Sequence, residues 1–337
     1  MAEWTHYSEV DPEFAPLLSS TPALPTNLTV EQLRESVGPV VEQQNSKLEP
    51  NLPPSSDYIV TEHEIPVGGG ATVLARSVVP TPRDGEDGTF PLLFWIHGGC
   101  FILGDRNLDD YWLRIASVKI RIAVVNCEYR LAPEYPFPAP VDDCFAALKF
   151  VASNPERFST SLKKGFLVGG QSAGGNLSAV IAHLARDDSF FDDKPVTGQL
   201  LHIPATVHPE AVPEKYKSLY LSLEQNKDAP ILDKKVIEWF YPLYKPLPTD
   251  TRCSPLLLDT HKGLPPAYFQ ICGLDPLRDE GLIYEKVLKE AGVPTKLDVY
   301  PGVPHGFEGG LPHLKQAVKL REDKHTGLRW LLGQRNA

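Results

Sequence analysis

Residues Gly165-Phe166-Leu167-Val168-Gly169-Gly170-Gln171-Ser172-Ala173-Gly174-Gly175-Asn176-Leu177 constrain the fold more than any other stretch of the chain. An apolar run leads into a knot of small residues around one serine, and Leu177, Ala179, Val180, Ile181 and Leu184 then recur at helical spacing. The pattern predicts a strand, a sharp turn and a helix, with the serine on the turn. A residue there takes a backbone conformation that ordinary side chains resist, and the glycines two positions before and two after leave room for it. The hydroxyl is then clear of its neighbours, open to a base on one side and to a carbonyl on the other. Ser172 is the candidate nucleophile.

The rest of the chain supplies the sheet that such a turn needs. Besides the strand before Ser172, apolar runs predict strands at 72–79, 91–96, 122–127, 199–203, 267–272 and 295–300. Helical patterns fall between or after them at 108–118, 141–152, 174–185, 276–291 and 314–331. This alternation implies a mostly parallel sheet with helices on both faces, and in such sheets active groups gather at the carboxyl ends of the strands. Residues 1–55 are rich in proline and polar residues and too thin to fold alone; a helix is expected to start at Thr29, which can cap it. The block 204–255 interrupts the alternation with prolines and aromatics and is expected to be an inserted cap segment. The expected organisation is therefore an N-terminal arm (1–55) that forms part of the cap, a catalytic body (56–203 and 256–337) and the insert.

Net charge bounds the ligand. At −10, the chain is a poor partner for nucleic acid or an anionic membrane, so a small neutral or apolar molecule is expected. The opening Met1-Ala2-Glu3-Trp4-Thr5-His6 has neither a basic start nor an apolar core, and no later run is long enough to span a bilayer, so the expected compartment is the cytoplasm. Five cysteines without metal-ligand spacing fit reduced thiols; Cys127, Cys144 and Cys272 lie in apolar runs and are expected to pack. Pairing of two copies into a homodimer, through an edge strand or the last helix, is left open.

The strand at 91–96 runs into His97-Gly98-Gly99-Cys100-Phe101. Glycine-rich backbone can aim N–H groups at the oxyanion formed when Ser172 attacks a carbonyl, and the N–H of Ala173 would complete the set. The same sequence also suits a plain strand-to-loop turn. Of ten histidines, His305 follows the last expected strand in Tyr300-Pro301-Gly302-Val303-Pro304-His305-Gly306-Phe307, where a base belongs. His6, His63, His261 and His313 lie in polar strings and are expected on the surface, while His202 and His208 flank the insert and are candidates to line a pocket. The strand at 267–272 leads into Gly273-Leu274-Asp275-Pro276-Leu277-Arg278-Asp279, which places Asp275 on a turn as the acid partner or as a helix cap. Asp279, in the first helical turn, suits the helix dipole. Ser172, Asp275 and His305 occur in the chain order of an α/β-hydrolase triad.

The chain resembles the hormone-sensitive-lipase-like branch of the α/β-hydrolases, the bacterial family IV esterases and their fungal and plant relatives. The resemblance covers residues 58–335. His97-Gly98-Gly99 resembles that family's His-Gly-Gly-Gly oxyanion motif, Gly170 to Gly174 its Gly-Asp-Ser-Ala-Gly elbow, and Asp275 to Asp279 with His305-Gly306-Phe307 its acid and base segments. Tyr129-Arg130-Leu131-Ala132-Pro133-Glu134 is similar to a further family signature, with structural roles expected for Arg130 and Glu134. The resemblance implies an α/β-hydrolase fold with catalytic Ser172, Asp275 and His305, an oxyanion hole from Gly98, Gly99, Cys100 and Ala173, and no cofactor or metal. Two departures stand out. Cys100 replaces the third oxyanion glycine and brings a thiol near the nucleophile, where modification would block acyl binding; Gln171 replaces the aspartate before the serine.

The expected activity is hydrolysis of small-molecule carboxylic esters with short to medium acyl chains. Amidase or deacetylase, lactonase and thioesterase activities share the same acyl-enzyme chemistry. A hormone receptor on the same scaffold would lack the catalytic histidine, which this chain retains as His305.

Overall fold

The computed structural model describes residues 3–333. Met1 and Ala2 of the expected arm and residues 334–337 of the expected body lie outside them. Among the described residues, eight strands form one sheet: β1 (Tyr58–Pro66), β2 (Thr72–Pro80), β3 (Leu92–Ile96), β4 (Ala123–Cys127), β5 (Phe166–Gln171), β6 (Gly198–His202), β7 (Ala267–Leu274) and β8 (Thr295–Pro304). Their order is β1-β2-β4-β3-β5-β6-β7-β8. β2 is antiparallel to both its neighbours, and all pairings from β4 to β8 are parallel. The helices are α1 (Val30–Leu48), α2 (Asp110–Ile120), α3 (Ala139–Ser153), α4 (Ala173–Asp187), α5 (Ser222–Gln225), α6 (Lys234–Tyr244), α7 (Arg278–Glu290), α8 (Phe307–Gly310) and α9 (Lys315–Gly333).

The central strands are apolar throughout because both faces are covered. On β3, Leu92, Phe94 and Ile96 join the core under α3 and α4, while Leu93 and Trp95 join the core under α2 and α9. All five are fully buried, and each such side chain contributes about 1.5–3 kcal/mol relative to exposure. α1 starts as its sequence suggests: the Thr29 hydroxyl accepts from the Gln32 N–H, and the Gln32 side chain accepts from the Thr29 N–H.

β1 is a strand that periodicity did not announce. Ile59 and Val60 are exposed and its glutamates face outward. It forms because Gly68-Gly69-Gly70 turns the chain back on itself, pairing Tyr58 with Pro80 through to Pro66 with Thr72.

Among the described residues no sheet strand lies between His202 and Ala267. The insert instead carries α5 and α6, and α6 buries Val236, Ile237, Phe240, Tyr241 and Tyr244. The Tyr244 ring stacks on Phe101 at 3.9 Å, so the insert packs directly on the loop that follows β3. The arm joins the insert through a short bridge, in which Leu24 donates to the Ile231 carbonyl (3.0 Å) and Ile231 to that of Pro22 (3.1 Å). No helix of the described residues is long and apolar enough to cross a membrane.

Candidate active site

β5 ends at Gln171 and α4 begins at Ala173, which leaves Ser172 alone on the turn at φ 56° and ψ −115°. Such a conformation is strained for serine and persists only because its surroundings over-determine it. The Ser172 N–H donates to the His202 carbonyl (2.8 Å), and the Ser172 carbonyl accepts from Asn176 (2.9 Å). Gly174 lets the helix begin this close to β3, since a Cβ there would lie 2.0 Å from the Ile96 carbonyl oxygen.

The residues expected at three strand ends meet here. His305, just past β8, brings Nε2 to 2.8 Å from the Ser172 Oγ. Its Nδ1 lies 2.7 Å from Oδ2 of Asp275, just past β7. The other Asp275 oxygen accepts from the Leu277 N–H at 2.8 Å, so the aspartate closes the turn ahead of α7, whose N-cap is Leu277, as well as partnering the histidine. A carboxylate only accepts, which puts the imidazole hydrogen on Nδ1 and leaves Nε2 to accept from the serine hydroxyl. All three side chains are buried.

The loop after β3 lies against the serine: a Cβ on Gly98 would come within 3.5 Å of the Ser172 Cβ. The loop folds tightly, with Ile102 and Leu103 both donating to the Gly99 carbonyl (3.0 and 2.8 Å). Gly99 has φ +112°, and a Cβ there would strike the Leu103 carbonyl oxygen at 2.2 Å. Among the described residues, the amides of Gly98, Gly99 and Cys100 donate to no main-chain carbonyl. That of Ala173, first in α4, has no acceptor within its own helix. His97 fixes the loop from behind. Its Nδ1–H donates to the Gly98 carbonyl (2.7 Å), and its ring stacks on Tyr129 at 4.4 Å.

Both departures from the family pattern are accommodated. Cys100 adopts the left-handed conformation at φ 56° despite its side chain. Burial pushes its thiol up to about 12, so it holds little thiolate at neutral pH. Gln171 faces the base turn, its Nε2 3.3 Å from where a Cβ on Gly306 would lie.

Four histidines differ from or refine the sequence reading. His63 and His261 are buried, not on the surface: His63 bonds the Ser77 hydroxyl of the neighbouring strand (2.8 Å), and His261 bonds the nearby Pro255 carbonyl (3.1 Å) while packing against the rings of His183 and Tyr284. His208 caps a short helical turn, where its Nδ1 accepts from Glu210. His202 is fully buried and bonded to Glu308. Burial lowers it to about 4, so at neutral pH the ring is uncharged and its Nε2–H donates to the carboxylate.

The polar hub on the acid side has no local signature in the sequence. Arg278 is fully buried and donates to Asp279 (2.7 Å), Ser8 of the arm (2.6 Å) and Gln225 of the insert (3.0 Å). Asp279 accepts from the Leu221 and Ser222 amides, both at 2.7 Å, so it holds the insert rather than merely suiting a helix dipole. Asn226 donates to the carbonyls of Asp275 (2.9 Å) and Gly273 (3.3 Å). Glu280, beside this hub, accepts from the Thr206 N–H (2.7 Å), and burial pushes it up to about 8. Arg130 and Glu134 are structural as expected: Arg130 pairs with Asp143, and Glu134 with Arg34 of α1.

Comparison with known proteins agrees with this fold. A family model described as the alpha/beta hydrolase fold matches residues 93–309. An AB hydrolase superfamily protein of Schizosaccharomyces pombe is 37% identical over 97% of this chain and 95% of its own length. The versiconal hemiacetal acetate esterase of Dothistroma septosporum is 40% identical over 74% of this chain and 76% of its own. Among solved structures, vibralactone cyclase superposes with a TM-score of 0.93 at 44% identity, covering 98% of this chain and 96% of that one. An esterase of Pyrobaculum calidifontis gives 0.81 at 32% identity, covering 97% and 100%. With its elbow, its strand-end acid and base and its glycine loop in place, the chain belongs to the α/β hydrolase fold family, in the hormone-sensitive-lipase-like esterase branch that its motifs resemble.

Proposed function

We propose that the protein is a serine carboxylesterase acting on small esters with short to medium acyl chains. The observation that carries this reading is the unbroken relay from the Ser172 Oγ through His305 to Asp275, with links of 2.8 and 2.7 Å. His305 takes the serine proton as Oγ attacks the ester carbonyl, and Asp275 stabilises the imidazolium that forms. The amides of Gly98, Gly99, Cys100 and Ala173 receive the negative charge of the tetrahedral intermediate, each worth about 3 kcal/mol of barrier. The imidazolium then protonates the leaving alcohol, and water releases the acyl group by the same steps.

Three further assignments rest on this reading. The arm and the insert together form the cap over the site, supported by the bridge between Leu24 and Ile231. The preference for shorter chains is supported by the cap aromatics, since Phe240, Tyr241 and Tyr244 are buried in packing instead of lining open space. A cytoplasmic location is supported by five cysteines that are all free. His305 within bonding reach of Ser172 argues against the receptor alternative.

Hydrolysis of p-nitrophenyl esters from acetate to laurate, by the wild type and Ser172→Ala, tests the reading. The wild type should turn over the shorter esters, and the variant should lose about a thousandfold or more in kcat. An undiminished variant would overturn the mechanism, and a rate peaking at laurate would overturn the chain-length preference. The likeness to vibralactone cyclase favours a second reading, transfer of the acyl group to a hydroxyl of the same molecule to close a lactone. Offered methyl 5-hydroxypentanoate, a hydrolase releases the hydroxy acid and a cyclising enzyme releases the lactone.

A further inference from the structure

The end of β6 touches both halves of the proton relay, although no motif marks it. His202 is the last residue of β6, paired in register with Gln171 on one side and Gln270 on the other. Its carbonyl accepts the Ser172 N–H at 2.8 Å, a bond that fixes the backbone of the strained elbow. Its side chain reaches the opposite way, to Glu308, three residues beyond His305 on α8. Lys324 of α9 lies 3.3 Å from the same Glu308 oxygen and is itself 3% exposed, so the carboxylate is held out of solvent between an imidazole and an ammonium.

The next residue adds a second contact with the base turn. Ile203 has φ 43°, a conformation that a β-branched residue rarely takes. Its Cδ1 lies 3.9 Å from where a Cβ on Gly306 would be, so it backs the turn that carries His305. Strain of this kind persists where surrounding structure over-determines it, and here the Ile203 N–H is anchored to the Gln270 carbonyl at 2.8 Å.

We propose that His202 is a positioning residue of the acyl-transfer reaction. Through its carbonyl it holds the Ser172 elbow, and through its bond to Glu308 it holds the His305 turn, so that one side chain and its own backbone set the serine–imidazole separation. The inference rests on the serine-hydrolase reading above, and its effect falls on kcat. A 1 Å misplacement of reacting groups can cost about a hundredfold in rate, whereas ester binding under the cap does not involve this residue.

The test compares kcat and KM on p-nitrophenyl butyrate for His202→Leu, His202→Gln, Glu308→Met and the His202→Leu/Glu308→Met double variant, well below each variant's melting temperature. His202→Leu should lower kcat by about tenfold to a hundredfold with KM within about twofold of wild type. His202→Gln retains an N–H donor for Glu308 and should recover most of that loss. The double variant should lose no more than His202→Leu alone, because both changes cut one link. Wild-type kcat in the folded single variants, losses that multiply in the double variant, or a loss in His202→Gln equal to that in His202→Leu would overturn the proposal. If His202→Leu does not fold, Glu308→Met, which has no oxygen to accept from His202, decides alone: about a tenfold fall in kcat supports the link, and an unchanged kcat sinks it. Ser172→Ala separates the two levels. Activity retained there removes the serine reading and this proposal with it, while a dead Ser172→Ala beside fully active His202 and Glu308 variants removes only the proposal.

Discussion

On the acid side of the site, Arg278 is wholly out of solvent and binds the arm at Ser8, the insert at Gln225 and its own neighbour Asp279. On the oxyanion side, Arg34 of α1 makes a similar number of bonds, to the Ile102 carbonyl (2.9 Å), the Ala132 carbonyl (2.8 Å) and both oxygens of Glu134, but at side-chain exposures of 29% and 52%. Both arginines tie the arm to a segment beside the candidate site. The surroundings of a charge, and not the number of its bonds, decide how firmly it holds. Removing one partner of a buried pair leaves an uncompensated charge, whereas an exposed pair is screened and replaced by water. The contact on the acid side is therefore the firmer of the two, and the contact on the oxyanion side the weaker.

Breaking the buried clamp should have the largest effect. Arg278→Met leaves Asp279 without its partner and should cost about 3–5 kcal/mol in urea unfolding. A loss below about 1 kcal/mol would remove the distinction between the two sides. Acid should act through neither clamp but through buried histidines. Burial lowers His183 to about 3 and His202 and His325 to about 4, so they stay neutral in the fold while the unfolded chain takes up protons below about 6.5. Their contribution is present above about pH 6.5 and is lost as pH falls towards 4, so the urea midpoint should drop across that window. Over the upper part of the same window the outer clamp survives, because the hydrogen bond from Arg34 holds Glu134 below the usual carboxylate range. A midpoint that is flat from pH 6.5 to 4 would contradict this.

Smaller changes sharpen the picture. Asn226→Ala removes one donor each from the carbonyls of Asp275 and Gly273, which keep others, and should cost about 0.5–1.5 kcal/mol, with a fall in kcat as the acid turn loosens. Arg34→Ala should cost no more than about 1 kcal/mol. It should nevertheless speed amide exchange across α1 and raise KM, leaving the amides near Asp275 protected; equal exchange on both sides would show that the cap moves as one piece. The smallest effect concerns Cys100. With its thiol pushed up to about 12, iodoacetamide at pH 7.5 should leave esterase activity unchanged over an hour, and rapid inactivation with carboxamidomethylation at that residue would show an environment more polar than the one described.

The site was legible because its signals are local. Ser172, Asp275 and His305 each follow an apolar run and sit among small residues or prolines, so each carries its own turn signature, and the chain order supplied the rest. The two departures at Gln171 and Cys100 were equally visible, though not how the fold absorbs them. What the sequence hid depends on partners far along the chain. His63 sits in a polar string and looks exposed until β2 brings Ser77 to it, and His261 until the rings of His183 and Tyr284 pack against it. β1 shows outward glutamates and exposed Ile59, so only its pairing with β2 makes it a strand. Arg278 reads as one charge in a helical turn, because Ser8 and Gln225 lie hundreds and tens of residues away. His202 was noted only for its place beside the insert, and its bond to Glu308 spans 106 positions.

The bond between Arg278 and Ser8 also sets an order of assembly during synthesis. Ser8 leaves the ribosome ahead of its buried anchor, which is 270 residues behind it. At about 5–20 residues per second, the arm waits roughly 15 to 50 s before Arg278 emerges. Ser8 therefore emerges well before the residue that anchors it, and over the same interval the side chain of Phe14, which joins the core of Cys272, Tyr300 and Phe307, has nothing of its own to cover it.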